Sequence, residues 1–450
     1  MPETEIPRKN ILVVANLFHA SPRIPRMLKR LPSLGWSPTI ITPKVGEEIQ
    51  NIFSAPPKEL EDLGIRIIET GISHPYESIK GDGGSGEYRG FGKRFAERMD
   101  GDRDGRMNRM LEKYYWRFYL TRNYPDVEKK WKEDALKAAE GLLGTERFDL
   151  VLSSSSPIIT HVICDEIKRR HGIPWIAEYR DLWTLNYNYQ LGHIMRFFDR
   201  RLERRTMKSA DALVTVTEYL ADDLRMMFPG KEVLSITTGF DRKESVETTP
   251  LSKNFTITYT GQHYREKQDP MKVLKSLADL IAEKKIDGSK VHVRFYGPAD
   301  EGLQRFAEEI GLGGVFAQHG MTSRGQAQIR QKESQLLLYM NWEDSEQKGV
   351  LPLKFIEYLS AGRPILLTGG VSDNLMASIL RQTGTGRTAV SEAEIKAAIM
   401  DSYLQYSASG SVPFGGKAEE IDRYDIKNSA AAYARLMDSV VDRTASRTAA

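Results

Sequence analysis

The segment from Lys348 to Ile365 combines a cation, a carboxylate and helix-bounding residues at spacings that suit diphosphate binding. Pro352 favours the start of a helix, and Gly362 favours its end. A helix start offers free N–H groups and a positive dipole end, which attract phosphate. Lys354 and Glu357 share a helix face, so a lysine for phosphate and a carboxylate for ribose would form a nucleotide site. The alternative is an ordinary surface ion pair.

A second group of charged residues follows a strand predicted at Thr256–Thr260. Gly261, Arg265 and Lys267 lie in the loop between this strand and a helix predicted from Pro270. A diphosphate leaving group needs fixed positive charge as its bond breaks. Lys267 is the best candidate for this charge, with Arg265 second. The alternative is a solvated charge cluster at the start of the helix.

Acid–base candidates follow two strands nearer the N-terminus. Arg180 and Asp181 come after a strand predicted at Pro174–Tyr179, and His161 follows one at Asp149–Ser154. Asp181 could orient or deprotonate an acceptor hydroxyl. Arg180 would bind an anionic acceptor or pair with Asp181. His161 would take part in catalysis or, alternatively, cap a helix.

The loop after the first predicted strand, Ile11–Asn16, supplies two further polar candidates. His19 and Arg23 lie in or just after this loop, at a strand end where a ligand cleft is expected. No pair of carboxylates stands in a context that suits a metal ion, so we expect no metal and no cofactor. Basic residues and the N-termini of helices would then stabilise negative charge in place of a metal ion.

Short apolar runs alternate with longer amphipathic stretches along the chain, which predicts an α/β fold. The runs lack strict alternation, so both faces of each strand are covered, as in a doubly wound parallel sheet. Two such series are visible, on either side of a polar linker at Asp241–Lys253. We therefore predict two Rossmann-like domains, 1–240 and 241–417, with a helix at 426–441 returning to the first. Ligands of open α/β sheets bind beyond the carboxyl ends of the strands, so a cleft between the domains is the expected site.

The composition bounds the class of protein. The chain has 450 residues, of which 40% are hydrophobic and 28% charged, which excludes a disordered or fibrous chain. A net charge of +3 is too balanced to indicate a nucleic-acid partner. The single cysteine, Cys164, excludes an internal disulfide framework. No apolar run approaches the roughly 18 residues that span a bilayer, and no secretory signal is visible, so we expect a cytoplasmic protein.

One segment departs from the α/β pattern. Residues 89–122 carry ten Lys or Arg against five acids, with aromatic residues between them. One interpretation is a pair of surface helices packed on the N-terminal domain. Another is a peripheral contact with an anionic membrane at the inner face, and a third is nucleic-acid binding.

The segment around Glu357 resembles the nucleotide-sugar signature of the GT-B glycosyltransferases, specifically glycosyltransferase family 4. In that family the second glutamate of a pair holds the donor ribose, and Glu357 matches it. Gly349 stands where the first glutamate is usual. Gly261 and Lys267 match the family's diphosphate-binding loop, whereas Gln262 replaces its arginine. The resemblance implies a donor site formed by Gly261, Arg265, Lys267, Gly349, Val350, Leu351, Lys354 and Glu357. It also places His19 and Arg23 in the loop that binds the acceptor.

The resemblance implies a GT-B glycosyltransferase that moves a sugar from a nucleotide-diphosphate sugar to a hydroxyl group. The acceptor would be a glycan, a lipid-linked intermediate or a small molecule. Family 4 implies retention of anomeric configuration and no metal. Two alternatives stay open: a nucleotide-sugar 2-epimerase of the same architecture, and a non-catalytic protein that binds sugar nucleotides or membranes.

Overall fold

A computed structural model describes residues 8–17, 22–44, 57–72, 124–126, 128–187, 189, 192–242, 249–264, 267–343 and 349–449. The chain folds into two compact units. Unit 1 comprises Met1–Thr238 and Ile426–Ala450, and unit 2 comprises Gly239–Asp425. The whole of the 89–122 segment lies outside the described residues.

Unit 1 contains a seven-stranded sheet in the order β3-β2-β1-β4-β5-β6-β7, and every neighbouring pair is parallel. Strands β1, β4, β5 and β6 are largely or wholly buried because helices cover both faces of the sheet. The strands are β1 (Lys9–Val14), β2 (Trp36–Lys44), β3 (Arg66–Ile72), β4 (Leu150–Ser155), β5 (Trp175–Tyr179), β6 (Ala212–Thr215) and β7 (Glu232–Ser235).

The helices of unit 1 form two apolar layers, one on each side of the sheet. The last of them returns from the far end of the chain and packs with the first on one face. They are α1 (Arg23–Leu28), α2 (Pro57–Glu61), α3 (Trp131–Leu143), α4 (Ile159–His171), α5 (Gly192–Met207), α6 (Glu218–Met227) and α14 (Ile426–Ala449).

Unit 2 contains a six-stranded parallel sheet in the order β10-β9-β8-β11-β12-β13. Its strands are β8 (Phe255–Thr260), β9 (Val291–Tyr296), β10 (Phe316–Gln318), β11 (Leu336–Met340), β12 (Ile365–Thr368) and β13 (Gly386–Ala389). Its helices are α7 (Pro270–Ala282), α8 (Glu301–Glu309), α9 (Arg324–Lys332), α10 (Leu353–Ser360), α11 (Leu375–Thr383), α12 (Glu392–Ser409) and α13 (Ala418–Asp422).

The structure confirms the predicted fold class of two parallel α/β sheets, and it differs from the sequence analysis in detail. Strand β13 and helix α12 were not predicted. Helix α3 begins at Trp131, after a turn, rather than at Pro125. The returning helix extends to Ala449 rather than ending at 441. Residues 418–425 belong to unit 2.

A buried ion pair joins three elements inside unit 1. Arg23 of α1 is 1% exposed, and its Nε donates to Oε1 of Glu178 in β5 at 2.5 Å. The guanidinium also donates to the Ile236 carbonyl, to Thr238 Oγ1 at 2.8 Å and to Tyr433 Oη of α14 at 3.0 Å. Burial alone would raise the pKa of Glu178, but the charge of Arg23 and the hydrogen bonds to the carboxylate together hold that pKa below its usual value. Arg23, predicted to bind an acceptor, therefore lies in the core of unit 1, where its hydrogen bonds connect α1 with β5 and α14.

We expect Glu178→Gln to lower the free energy of unfolding by about 3–5 kcal/mol, because it leaves the Arg23 charge buried without its counter-ion. Urea unfolding followed by circular dichroism measures this change.

A matched control is Glu146→Gln, which breaks an exposed pair with Arg66 in the same unit. That loss should stay below about 1 kcal/mol because solvent screens the pair. Equal losses in the two variants would contradict the role of the Arg23–Glu178 pair.

Candidate functional site

The sheet of unit 2 reverses its winding direction between β8 and β11, which lie side by side. In open α/β sheets the crevice at such a switch point is where ligands bind. A cavity of about 320 Å³ opens there. It is lined by Gly261, Gln262, Tyr264, Gln268, Tyr339, Asn341, Trp342, Val350, Pro352 and Lys354.

Lys354 lies in the wall of this cavity, held among aromatic rings. Its Nζ donates a hydrogen bond to Tyr259 Oη at 2.7 Å and lies 3.9 Å from the centre of the Tyr259 ring. The ring of Tyr339 is 5.2 Å from the same nitrogen. The Tyr259 hydroxyl in turn donates to the Gln262 carbonyl at 2.7 Å. These contacts fix the direction in which the ammonium group points.

The charge on Lys354 has no carboxylate partner among the described residues. Burial lowers the pKa of Lys354 to about 7, since no nearby anion offsets the cost of desolvation. Cation–π contacts recover part of that cost. An anion entering the cavity would supply the missing partner, so the site favours a negatively charged ligand.

Helix α10 strengthens this preference for an anion. Pro352 precedes its first residue, and among the described residues no side chain caps the first turn. The first N–H groups of a helix lack intrahelical partners and carry partial positive charge. The Tyr358 hydroxyl accepts a hydrogen bond from Thr260 N–H at 2.9 Å, which fixes α10 against the end of β8.

The loops around the cavity approach each other too closely for larger residues. Gly261 has φ +101°, and a Cβ there would lie 3.3 Å from Cδ of Lys354. Gly370, after β12, has φ +69°, and a Cβ there would lie 2.9 Å from the Trp342 carbonyl oxygen. Glycine is therefore required at both positions for backbone conformation and for space.

Lys267 lies on the other side of the same loop. Its Nζ is 3.9 Å from the centre of the Trp342 ring, and Tyr264 meets that ring edge-on at 5.7 Å. Lys267 lines a neighbouring cavity of about 490 Å³, which shares Gln268 with the first. The structure thus brings Gly261, Lys267 and Lys354 to one group of strand ends.

Glu357 is three residues beyond Lys354 on α10 and is directed towards α9. Its Oε1 accepts a hydrogen bond from Arg324 Nη2 at 2.6 Å, and its side chain is 14% exposed. Glu357 lies about one helical turn from Lys354, a distance of about 5 Å along the helix axis. The phosphates and the ribose of a nucleotide are separated by a distance of the same order. Arg324 was not singled out from the sequence.

The remaining predicted donor residues differ in accessibility. Val350 lines the 320 Å³ cavity, whereas Gly349 is buried. Leu351 is 9% exposed and packs in the apolar cluster of Phe355. Arg265 lies outside the described residues.

In unit 1, the predicted catalytic His161 is wholly buried. Its Nδ1 shares a hydrogen bond of 2.7 Å with Ser153 Oγ, and its ring centre lies 4.9 Å from that of Tyr179. Burial lowers the pKa of His161 to about 3, so it is neutral. In this structure it has no exposed surface with which to touch a substrate, and it does not cap a helix.

Arg180 and Asp181 follow β5, and they differ in what they contact. Arg180 is 9% exposed and donates through Nε to the Ser155 carbonyl at 2.9 Å and through Nη2 to that of Ser156. It therefore fixes the turn after β4. Asp181 is exposed, yet surrounding protein atoms partly desolvate its carboxyl and raise its pKa, against the influence of Arg180. Of the three predicted catalytic residues, Asp181 alone is exposed. His19 lies outside the described residues.

Several residues around the cavity were missed by the sequence analysis. Asn341 and Trp342 directly follow β11, so their position at a strand end was the available signal. Tyr259 and Tyr339 lie inside strands, and no sequence signal separates them from ordinary core aromatics.

The described residues contain no group of three or more His, Cys, Asp or Glu side chains arranged to hold a metal ion. None of their helices has an apolar stretch long enough to cross a bilayer.

Comparison with known families shows a match in the N-terminal part of the chain. The sequence profile of the Glycosyl transferase 4-like domain family matches residues 20–236. No curated protein matches the chain significantly in sequence.

Similar solved structures cover almost the whole chain. They include HepE (Alr3699) from Anabaena in complex with UDP, with 11% identity, a TM-score of 0.59, and coverage of 96% of this chain and 100% of that one. Sucrose-phosphate synthase from Thermosynechococcus elongatus shows 10% identity, a TM-score of 0.53 and 98% coverage of both chains. A glycosyltransferase from Rickettsia africae shows 13% identity, a TM-score of 0.52, and coverage of 98% and 97%. Residues 20–236 therefore match the Glycosyl transferase 4-like domain family, and the chain as a whole has the GT-B fold, as its two parallel α/β units show.

Proposed function

We propose that the chain is a glycosyltransferase that uses a nucleotide-diphosphate sugar, bound by unit 2, and transfers the sugar to a hydroxyl group with retention of configuration and without a metal ion. The observation that carries the proposal is Lys354, a desolvated cation without a described carboxylate partner, beside an uncapped helix start. The acceptor would be a glycan, a lipid-linked intermediate or a small molecule.

The proposed donor pose follows from charge. The diphosphate would lie between Lys354 and the first turn of α10, because Lys354 and Pro352 at the start of that helix line the same cavity. The ribose would reach Glu357, because a carboxylate accepts hydrogen bonds from sugar hydroxyls. Lys267, held on the Trp342 ring, would add positive charge from the adjoining cavity.

The electrostatic requirement of the reaction supports a role for these cations. Breaking the bond between the sugar and the diphosphate leaves extra negative charge on the leaving group, and preoriented donors stabilise it most effectively. Asp181 would orient or deprotonate the acceptor hydroxyl, in keeping with its exposure and raised pKa.

We expect Lys354→Met to weaken binding of both UDP and inorganic pyrophosphate about 10- to 100-fold, because a charge-assisted contact to phosphate is lost. Glu357→Gln should weaken binding of UDP but not of pyrophosphate, since pyrophosphate has no ribose. Isothermal titration calorimetry measures both affinities, after a thermal-shift screen of UDP, GDP, ADP, TDP and CDP has identified the base.

The control is Lys290→Met, which removes an exposed lysine elsewhere in unit 2 and should leave both affinities unchanged. Wild-type affinity for pyrophosphate in Lys354→Met would contradict the proposed phosphate site.

We expect the affinity for a nucleotide-diphosphate sugar to fall as pH rises above 7, by up to about tenfold per pH unit. The pKa of Lys354 is about 7 in the free protein, so above this pH binding of the anion must recharge the amine. Both phosphates of such a donor are esterified, so its own charge stays constant from about pH 6 to pH 9. Calorimetry across this range gives the slope, and the slope should vanish in Lys354→Met. The same slope in that variant would assign the effect to another group.

We expect slow donor hydrolysis, with water as acceptor, to release the sugar with its original anomeric configuration and at the same rate in EDTA. Proton NMR of the first-formed hemiacetal measures the configuration before mutarotation. Inverted product, or loss of activity in EDTA, would contradict retention or metal independence respectively. A C2 epimer formed from UDP-GlcNAc without acceptor would instead indicate the epimerase.

A further inference from the structure

Helix α5 of unit 1 exposes three large apolar side chains next to one another. Ile194 is 71% exposed, Phe197 67% and Phe198 51%. They recur at i, i+3 and i+4, so they form one patch on the first turns of the helix. A cluster of this kind on a surface marks an interaction site more often than scattered apolar residues do.

The charged residues of α5 are sorted between its two faces. Asp199 and Glu203, its two acids, are each 1% exposed and are directed into unit 1. Glu203 accepts there from Tyr179 Oη at 3.1 Å and from Thr184. The arginines of the last turns are exposed instead: Arg200, Arg201, Arg204 and Arg205. The exposed charges in the C-terminal half of the helix are therefore all positive.

The apolar patch and three of the arginines share one stripe of the helix. Arg201, Arg204 and Arg205 continue the spacing of i+7, i+10 and i+11 from Ile194. The stripe from Ile194 to Arg205 is about 17 Å long at the usual rise of a helix. We call these six residues the α5 face: Ile194, Phe197, Phe198, Arg201, Arg204 and Arg205.

We propose that the α5 face is a membrane-docking surface that binds bilayers containing anionic phospholipid. Ile194, Phe197 and Phe198 enter the boundary between headgroups and acyl chains, and the arginines contact lipid phosphates. An aliphatic and two aromatic side chains together suit an acyl boundary, whereas base stacking would use the aromatic rings alone. Long arginine side chains reach the phosphates while their stems stay near the apolar region. This surface includes none of residues 89–122, and it does not depend on the proposed donor site.

The test is co-sedimentation with vesicles of phosphatidylcholine alone or mixed with phosphatidylglycerol. We expect binding to the mixed vesicles and little to phosphatidylcholine. Ile194→Ser/Phe197→Ser/Phe198→Ser should weaken binding at least tenfold. Arg201→Gln/Arg204→Gln/Arg205→Gln should weaken it about 100-fold, at about fivefold for each arginine near the surface. Salt at about 0.5 M should weaken the wild type similarly by screening.

Two control variants match these changes elsewhere on the molecule. Arg305→Gln/Arg381→Gln/Arg387→Gln removes three exposed arginines of unit 2, and Met226→Ser/Met321→Ser/Leu404→Ser removes three exposed apolar side chains. Both should bind mixed vesicles as the wild type does.

Four outcomes would overturn the proposal. The first is wild-type vesicle binding by both α5 variants, and the second is equal losses in the control variants. The third is a dimer in sedimentation velocity that only the serine variant disrupts, which would assign the patch to self-association. The fourth is a lower melting temperature of the serine variant, which would indicate that another segment of the chain covers it.

Discussion

Every strand in both sheets runs parallel to its neighbours, and this constraint determines where function can lie. In a parallel sheet the carboxyl ends of all strands meet at one edge, so loops far apart in sequence become neighbours there. Gly261 after β8, Trp342 after β11 and Gly370 after β12 meet in this way. The cavity of unit 2 is thus a product of topology, and the side chains around it decide its charge.

The two units differ in whether a buried charge has a counter-ion. In unit 1 Arg23 and Glu178 neutralise each other, and the guanidinium also donates to Thr238 and Tyr433. In unit 2 Lys354 has aromatic rings and a tyrosine hydroxyl around it, but no described carboxylate. The first arrangement is complete in the folded chain and stabilises it. The second would gain its counter-ion only from a bound anion, which is the property expected of a binding site.

The sequence predicted much of the fold, because apolar runs and helix-bounding residues are local signals. Twelve of the strands were recognisable in this way, whereas β13, with the residues Gly-Arg-Thr-Ala, has no apolar run to identify it. Prediction of the site was less complete, because burial and long-range pairing are not local. Arg23 and His161 looked like accessible polar residues, yet they lie among core side chains joined across the sheet. Lys354 was identified by its position at a helix start, but its aromatic surroundings come from two other strands.

The return of the chain from unit 2 to unit 1 bears on the order in which the protein can fold during synthesis. Unit 2 is one continuous stretch, and its two ends are joined by a bridge between Phe240 and Asp425. Unit 1 lacks α14 until the residues that follow unit 2 leave the ribosome, and without Tyr433 the Arg23–Glu178 network is incomplete. Unit 2 can therefore reach its native state first, although most of unit 1 is made earlier. Until α14 is made, part of the apolar surface of unit 1 stays uncovered. During this interval the nascent chain is most prone to aggregate, and a chaperone would protect it most.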